Sequence, residues 1–119
     1  MICYDLRFPV FTRNDVDYDL LLFVANWPNT RISAWDVLLK ARAIENQAYI
    51  IGLNRVGTDG FNAQYPGHSQ VLDPEGDCIS MAPDYEVSLV EVSLSKNHLM
   101  TCRKRHPFLS ERDTFTITD

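Results

Sequence analysis

The chain predicts a mixed α/β layer, with helices covering one face of a sheet. Two observations carry that prediction. Apolar runs of strand length at 19–25 and 48–54 flank a segment of helical period at 32–47. Strand, helix, strand in that order is a βαβ signature, expected to be parallel and right-handed. After residue 60 the grammar changes to short runs divided by turn residues, which reads as hairpin.

The first element is Ile2-Cys3-Tyr4-Asp5-Leu6-Arg7-Phe8-Pro9. A short apolar lead-in reaches a cysteine, polar residues follow at once, and a proline suits the first turn of a helix. This is the pattern of a strand-to-helix elbow. Such a turn exposes a nucleophile and leaves backbone N–H groups beside it for an oxyanion. Asp5 and Arg7 are expected to brace the elbow as an ion pair, and residues 9–15 to form a short helical turn.

Next, 19–25 reads as a strand buried on both faces. Asn26-Trp27-Pro28-Asn29 then breaks the chain. A helix is expected from Ile32 to Gln47, because Ile32, Trp35, Leu39 and Ala43 share one stripe. Thr30 or Ser33 can cap it, Ser33 with Asp36 has capping-box spacing, and Asp36 can pair with Lys40. A second buried strand spans 48–54, and 57–60 is loop. A hairpin follows from 69–73 and 78–81 around the turn 74–77. Residues 85–92 read as a further strand. Ser95 caps a last helix through Arg105, Pro107 stops it, and the Thr-rich tail 114–118 is expected to be extended.

A length of 119 residues suits one domain, which at this size buries roughly two-thirds of its unfolded surface. Hydrophobic residues at 45% and charged residues at 23% are ordinary for a soluble domain. A net charge of −5 argues against nucleic acid as a partner. Arg103-Lys104-Arg105 reads instead as a solvated helix end. No apolar run approaches the roughly 18 residues of a membrane span, and the opening residues carry no signal-peptide pattern. Cys3, Cys78 and Cys102 are odd in number, far apart and outside any CxxC. That argues against a disulfide framework or a zinc ribbon, and reduced cytoplasmic thiols are the expectation. His98, Cys102 and His106 are spaced by four on the last helix, so soft ligands could share a face. Without further ligands that helix is expected to hold no metal, and no cofactor is expected.

The ordered motifs resemble a known family. Residues 2–9 are similar to the nucleophile motif of the nitrilase superfamily of carbon–nitrogen hydrolases. The likeness continues through Tyr18-Asp19-Leu20-Leu21-Leu22-Phe23-Val24-Ala25-Asn26-Trp27-Pro28 and Ala41-Arg42-Ala43-Ile44-Glu45-Asn46-Gln47-Ala48-Tyr49. It runs on through Asn54-Arg55-Val56-Gly57, Tyr65-Pro66-Gly67-His68-Ser69 and Asp73-Pro74-Glu75-Gly76. The branch it resembles most is the bacterial omega-amidases, also called 2-oxoglutaramate amidases. The resemblance implies an α-β-β-α sandwich of roughly twice this length, with a Glu-Lys-Cys triad. Only the cysteine maps here, as Cys3, because the family's glutamates and lysine lie upstream of it. Residues 1–119 are therefore expected to be the C-terminal half of such a domain, its N-terminal half absent, and to be inactive alone.

The resemblance also implies a mechanism. Cys3 attacks an amide carbon, the backbone N–H of Tyr4 helps hold the oxyanion, ammonia leaves, and water cleaves the thioester. A free thiol ionises near pH 8.5, so a base or cation is needed beside it. The loop after the first full strand is the expected specificity site, since parallel strands present their C-terminal ends to ligand. There Asn26, Trp27 and Arg31 would contact substrate, with Arg31 paired to a distal carboxylate and Trp27 as a wall. The competing expectation is that Arg31 caps loop carbonyls and Trp27 packs in the core. Glu45 is expected in an ion pair, and His68 in a structural hydrogen bond.

The expected partners are a small amide substrate and further copies of the chain, because half a sandwich leaves a sheet face uncovered. Two other readings stay open. One is a non-catalytic assembly module. The other is a Cys-His thiol hydrolase of another fold, for which His68 is the one fair candidate base.

Overall fold

The computed structural model describes residues 1–118. Two 3₁₀ turns, Cys3–Arg7 and Pro9–Thr12, lead into strand β1, Leu20–Ala25. A third 3₁₀ turn, Asn29–Arg31, feeds helix α1, Ile32–Asn46, which returns to β2, Tyr49–Asn54. The short strands β3 (Val56–Thr58), β4 (Gln64–Pro66), β5 (Gln70–Leu72) and β6 (Cys78–Met81) follow. Helix α2, Lys96–Arg105, and a 3₁₀ turn, Phe108–Glu111, complete the order.

The main sheet runs β1-β2-β5-β6. β1 and β2 are parallel, with Leu20 opposite Tyr49 and Ala25 opposite Asn54, so the βαβ expectation holds. β5 pairs antiparallel with both β2 and β6, which is the hairpin read from the turn 74–77. The α1 stripe holds as well: Trp35, Leu39 and Ala43 are buried, and Ile32 packs against them. They close over Leu6, Phe23, Trp27, Ile50 and Leu72 to form the core. Gly52 on β2 sits directly beneath this stripe. A Cβ there would stand 2.5 Å from a Leu39 methyl and 2.8 Å from the Trp35 ring, so only glycine lets helix and sheet approach this closely.

Several expectations are corrected. β1 is covered on one face only. Phe23 is buried, while Leu20, Leu22 and Val24 are 42–44% exposed, because α1 covers their opposite side and no described element fills the other. Neither Thr30 nor Ser33 caps α1. The helix begins at Ile32 behind a 3₁₀ turn, with no side-chain cap. Asp36 does not pair with Lys40 among the described residues; it binds His68 and Gln70 instead. The helical turn expected at 9–15 is shorter, a 3₁₀ turn that starts on Pro9 and ends at Thr12.

Residues 57–60 belong to a small β3–β4 hairpin. Its turn is held by the Asp59 carboxylate, which accepts the N–H groups of Phe61 and Ala63. The strand expected at 85–92 does not form a ladder. Val87 and Leu89 are 93% and 95% exposed, since strand propensity alone cannot satisfy a backbone that has no neighbouring edge. Residues 112–118 likewise carry no regular structure. Helix α2 begins as expected, with Ser95 Oγ accepting the His98 N–H at 3.1 Å. Its basic end is not simply solvated. Arg103 donates to the carbonyls of Gln47 and Tyr18 and to Asp19, and Arg105 pairs with Glu75.

Candidate functional site

Met1 and Ile2 lie along β1 as the end of a parallel strand. The Met1 amine donates to Leu22 O at 2.9 Å, the Val24 N–H donates to Met1 O at 3.3 Å, and Ile2 bridges Val24. This register carries Cys3 to the C-terminal end of β1. Cys3 has φ +41°, a left-handed conformation that is unfavourable for a residue with a β-carbon and collects at functional turns. One residue thus turns the chain from strand into 3₁₀ turn. The Cys3 side chain is half-buried and packs against the core.

The elbow is braced through its backbone. The Asp5 carboxylate accepts the Ile2 N–H at 2.8 Å, and the Asp5 N–H donates to Ile2 O at 3.0 Å. Asp5 and Arg7 form no ion pair among the described residues, which corrects that expectation. The Arg7 guanidinium instead lies 4.9 Å over the Trp27 ring, a cation–π contact. Behind the elbow, the buried Arg42 of α1 donates to Leu6 O at 2.6 Å. The Tyr4 N–H, one residue past the sulfur, makes no backbone hydrogen bond among the described residues.

Asn26 and Trp27 follow β1 directly, so the parallel register sets them beside the elbow. The Trp27 side chain packs in the core, 2% exposed and 5.7 Å from Trp35 between ring centroids. It is therefore a floor under the elbow. Its indole N–H donates to Arg31 O at 2.7 Å. The Arg31 guanidinium is exposed and makes no ion pair or hydrogen bond among the described residues, so it does not cap loop carbonyls. The neighbouring Tyr65 ring lies under the Arg55 guanidinium at 4.5 Å. The Tyr65 hydroxyl donates to Asp59 at 2.8 Å. That bond, with the Phe61 and Ala63 N–H groups, holds the Asp59 carboxyl below its ordinary range. Asn26 is exposed at the same rim.

Residues outside the sequence-derived set hold this rim together. Asn54 accepts the Trp27 N–H at 2.6 Å and donates to Trp27 O at 2.9 Å and Gly67 O at 2.7 Å. Its backbone is closed by Ser69 Oγ. One side chain therefore joins the ends of β1 and β2 to the β4–β5 loop. The available signal was a buried-strand pattern ending on an amide. For Arg42 the signal was its place on the buried stripe, three residues after Leu39.

His68 does not serve Cys3. Its Nδ1 lies 3.0 Å from Asp36, and its Nε2 faces Asp84 at 3.5 Å, so both ring nitrogens meet carboxylates. Glu45 pairs with Arg42 at 2.9 Å, as expected. Burial, and then the nearby Glu45, push the Tyr18 phenol well up.

Comparison with known proteins places this geometry. The carbon–nitrogen hydrolase family model matches residues 1–104. The chain belongs to the carbon–nitrogen hydrolase family. It is 47% identical over 117 residues to the omega-amidase YafV of Escherichia coli K12, covering 98% of this chain and 46% of that protein. A 2-oxoglutaramate amidase of Paenarthrobacter nicotinovorans is 39% identical over 112 residues, covering 92% of this chain and 37% of the relative. In structure, the chain resembles a CN-hydrolase superfamily protein of Xanthomonas campestris with an arsenic adduct in its active site. That likeness has a TM-score of 0.95 and 43% identity, over 99% of this chain and 47% of the other. The chain thus spans about half the length of the relatives it matches. Its fold is the mixed α/β layer of that superfamily. Among the described residues, no helix is long and apolar enough to cross a membrane.

Proposed function

We propose that residues 1–119 form the cysteine-bearing half of an amidase that hydrolyses a small ω-amide of a dicarboxylic acid, 2-oxoglutaramate being the model substrate. The left-handed Cys3 at the end of β1 carries this reading. Its sulfur attacks the amide carbon, and the carbonyl π electrons move to oxygen. The oxyanion forms beside the Tyr4 N–H, a preorganised donor of the kind whose loss costs about 10²–10³ in rate. Collapse of the adduct breaks the C–N bond, and the amine leaves as ammonia once protonated. Water then cleaves the thioester, giving the carboxylic acid and returning the proton to sulfur.

The described residues offer Cys3 no base, since His68 is held by Asp36 and Asp84, and Glu45 by Arg42. The family's glutamate and lysine belong to the complementary half-domain, so the chain alone is expected to be inactive. Arg31, which makes no ion pair among the described residues, receives the distal carboxylate beside Asn26, with Trp27 fixing the loop from below. The Cys-His alternative loses its base with His68.

The test is ammonia release from 2-oxoglutaramate by the chain mixed with the N-terminal half of the Escherichia coli relative. The chain alone should show none, and the mixture should turn over. Cys3→Ala in the mixture should abolish turnover, a loss on the order of 10⁴-fold or more; a variant as fast as wild type removes Cys3 from the mechanism. Arg31→Ala should raise KM about 10–100-fold for the carboxylate-bearing amide and leave a neutral short amide unaffected. A second reading rests on the uncovered sheet face. There the chain is an assembly module that self-associates, and it predicts a mixture that assembles without any turnover.

A further inference from the structure

At the end of the sheet opposite Cys3, α2 packs beside the start of β2, where the Tyr49 hydroxyl donates to Ser95 O at 3.0 Å. Spacing alone gave this helix two soft groups, His98 and Cys102, and no further ligands. The fold supplies them. The β5–β6 turn brings Asp73 and Glu75 against the same helix face. His98 Nε2 stands 3.2 Å from Asp73 Oδ2, 3.9 Å from Glu75 Oε2 and 3.6 Å from Cys102 Sγ. The donor atoms of Glu75, His98 and Cys102 all lie within 4.8 Å of one another.

We propose that this corner is a zinc site with four protein ligands: Cys102 Sγ, His98 Nε2, Asp73 Oδ2 and Glu75 Oε2. Three observations carry it. The three separations from Nε2 approach the edges of a tetrahedral zinc shell, where N, O and S ligands at their usual bond lengths stand about 3.3–3.7 Å apart; Glu75, His98 and Cys102 form the close group, and Asp73 joins it through His98. The carboxylates are also oriented for it. Asp73 Oδ1 accepts the N–H groups of Glu75 and Asp77, and Glu75 Oε1 takes Arg105, so each acid keeps its second oxygen for the corner. Finally, a soft sulfur, an imidazole and two carboxylates form a zinc-type donor set, and two of the four ligands, Asp73 and Cys102, are buried.

Without an ion, the Cys102 thiol is pushed up by burial and then by Glu75, because its anion would join two carboxylates. A divalent cation removes that penalty. On binding, the thiol proton passes to solvent and the S–Zn bond forms. The sulfur is also 3.9 Å from His98 Nδ1, so it lies over the ring, and the imidazole turns about its Cβ–Cγ bond to present Nε2. Four protein ligands leave no open position, so the ion clamps α2 to the β5–β6 turn and performs no chemistry.

The test is calorimetric titration of the reduced chain with Zn²⁺, with Co²⁺ substitution read by thiolate-to-cobalt charge-transfer absorption. Wild type should bind one ion, show the thiolate band and melt at a higher temperature with Zn²⁺. Cys102→Ser should abolish the band. His98→Ala and the exposed Glu75→Gln should each weaken Zn²⁺ at least about tenfold, while Cys3→Ser and Cys78→Ser keep both band and affinity. No thiolate band in wild type, a band lost with Cys3 or Cys78, or a zinc-induced melting shift that survives in Cys102→Ser and Glu75→Gln overturns the site.

Discussion

The two faces of the β1-β2-β5-β6 sheet are built from alternate residues of the same strands, yet β1 is covered on one of them and open on the other. On the α1 face, Phe23, Ile50 and Leu72 meet Trp35 and Leu39, all at or below 2% exposure. On the opposite face, Leu20, Leu22, Val24 and Leu53 are 42–48% exposed. Among the described residues, the segment 82–92 borders it, leaving an open groove of about 520 Å³ lined by Val24, Ile51, Leu53, Val71, Val87 and Leu89, and α2 covers its Tyr49 end. Equal hydrophobicity therefore does not mean equal burial. An apolar strand residue is stabilised only when another element arrives to cover it, and one helix can cover one face.

Substitutions on the two faces should separate this difference most sharply. Leu39→Ala, on the closed face, should cost about 2–5 kcal/mol, because the site is packed and cannot collapse fully. Leu22→Ala, in the same sheet, should cost less than about 1 kcal/mol in dilute monomer, measured by urea unfolding. Equal costs would mean that the outer face is covered in solution.

Next in size is association. A contiguous exposed apolar patch drives self-assembly or capture of a complementary layer, so wild type should sediment as more than one copy. Val24→Glu with Leu53→Glu should shift it to monomer without lowering the melting temperature. Wild type that stays monomeric at high concentration breaks this expectation.

The smallest effect concerns acid. Asp19, at the head of β1, bonds Lys96 and pairs with Arg103 at 3.0 Å, and these partners hold its carboxyl below the ordinary 3.8. A depressed folded value means stability that is complete above the unfolded value and lost as pH falls through the folded one. The pair is partly exposed, so solvent limits its worth to less than about 1 kcal/mol. Melting curves taken from about pH 5 downward should show a shallower acid loss in Asp19→Asn than in wild type.

Much of the architecture was legible because it is local. The 3.6-residue stripe of α1, the apolar run of β1, the Ser95 cap and the Pro74–Asp77 turn each depend on neighbours within a few residues. The elbow was legible too, since a cysteine between a strand end and a proline-started turn is a local pattern. Where reading failed, the partner was distant in sequence. Asp36 pairs across the fold with His68, not with Lys40 one turn along. Arg7 stacks on Trp27 rather than pairing with Asp5. The segment 85–92 has the composition of a strand and no edge to join. Trp27 follows β1 as read, but its side chain turns inward to Trp35 and leaves Asn26 and Arg31 to face solvent.

By itself, the sequence determined the order of elements, the parallel βαβ unit, the family and the position of the sulfur, because periodicity and motif are written in adjacent residues. Tertiary structure alone decided which strand face is covered, that Asn54 ties the ends of β1 and β2 to the β4–β5 loop, and that Asp73 and Glu75 meet His98 and Cys102. Those outcomes depend on residues 13 or more positions apart being brought within a few ångströms, and no local pattern encodes the register that does it.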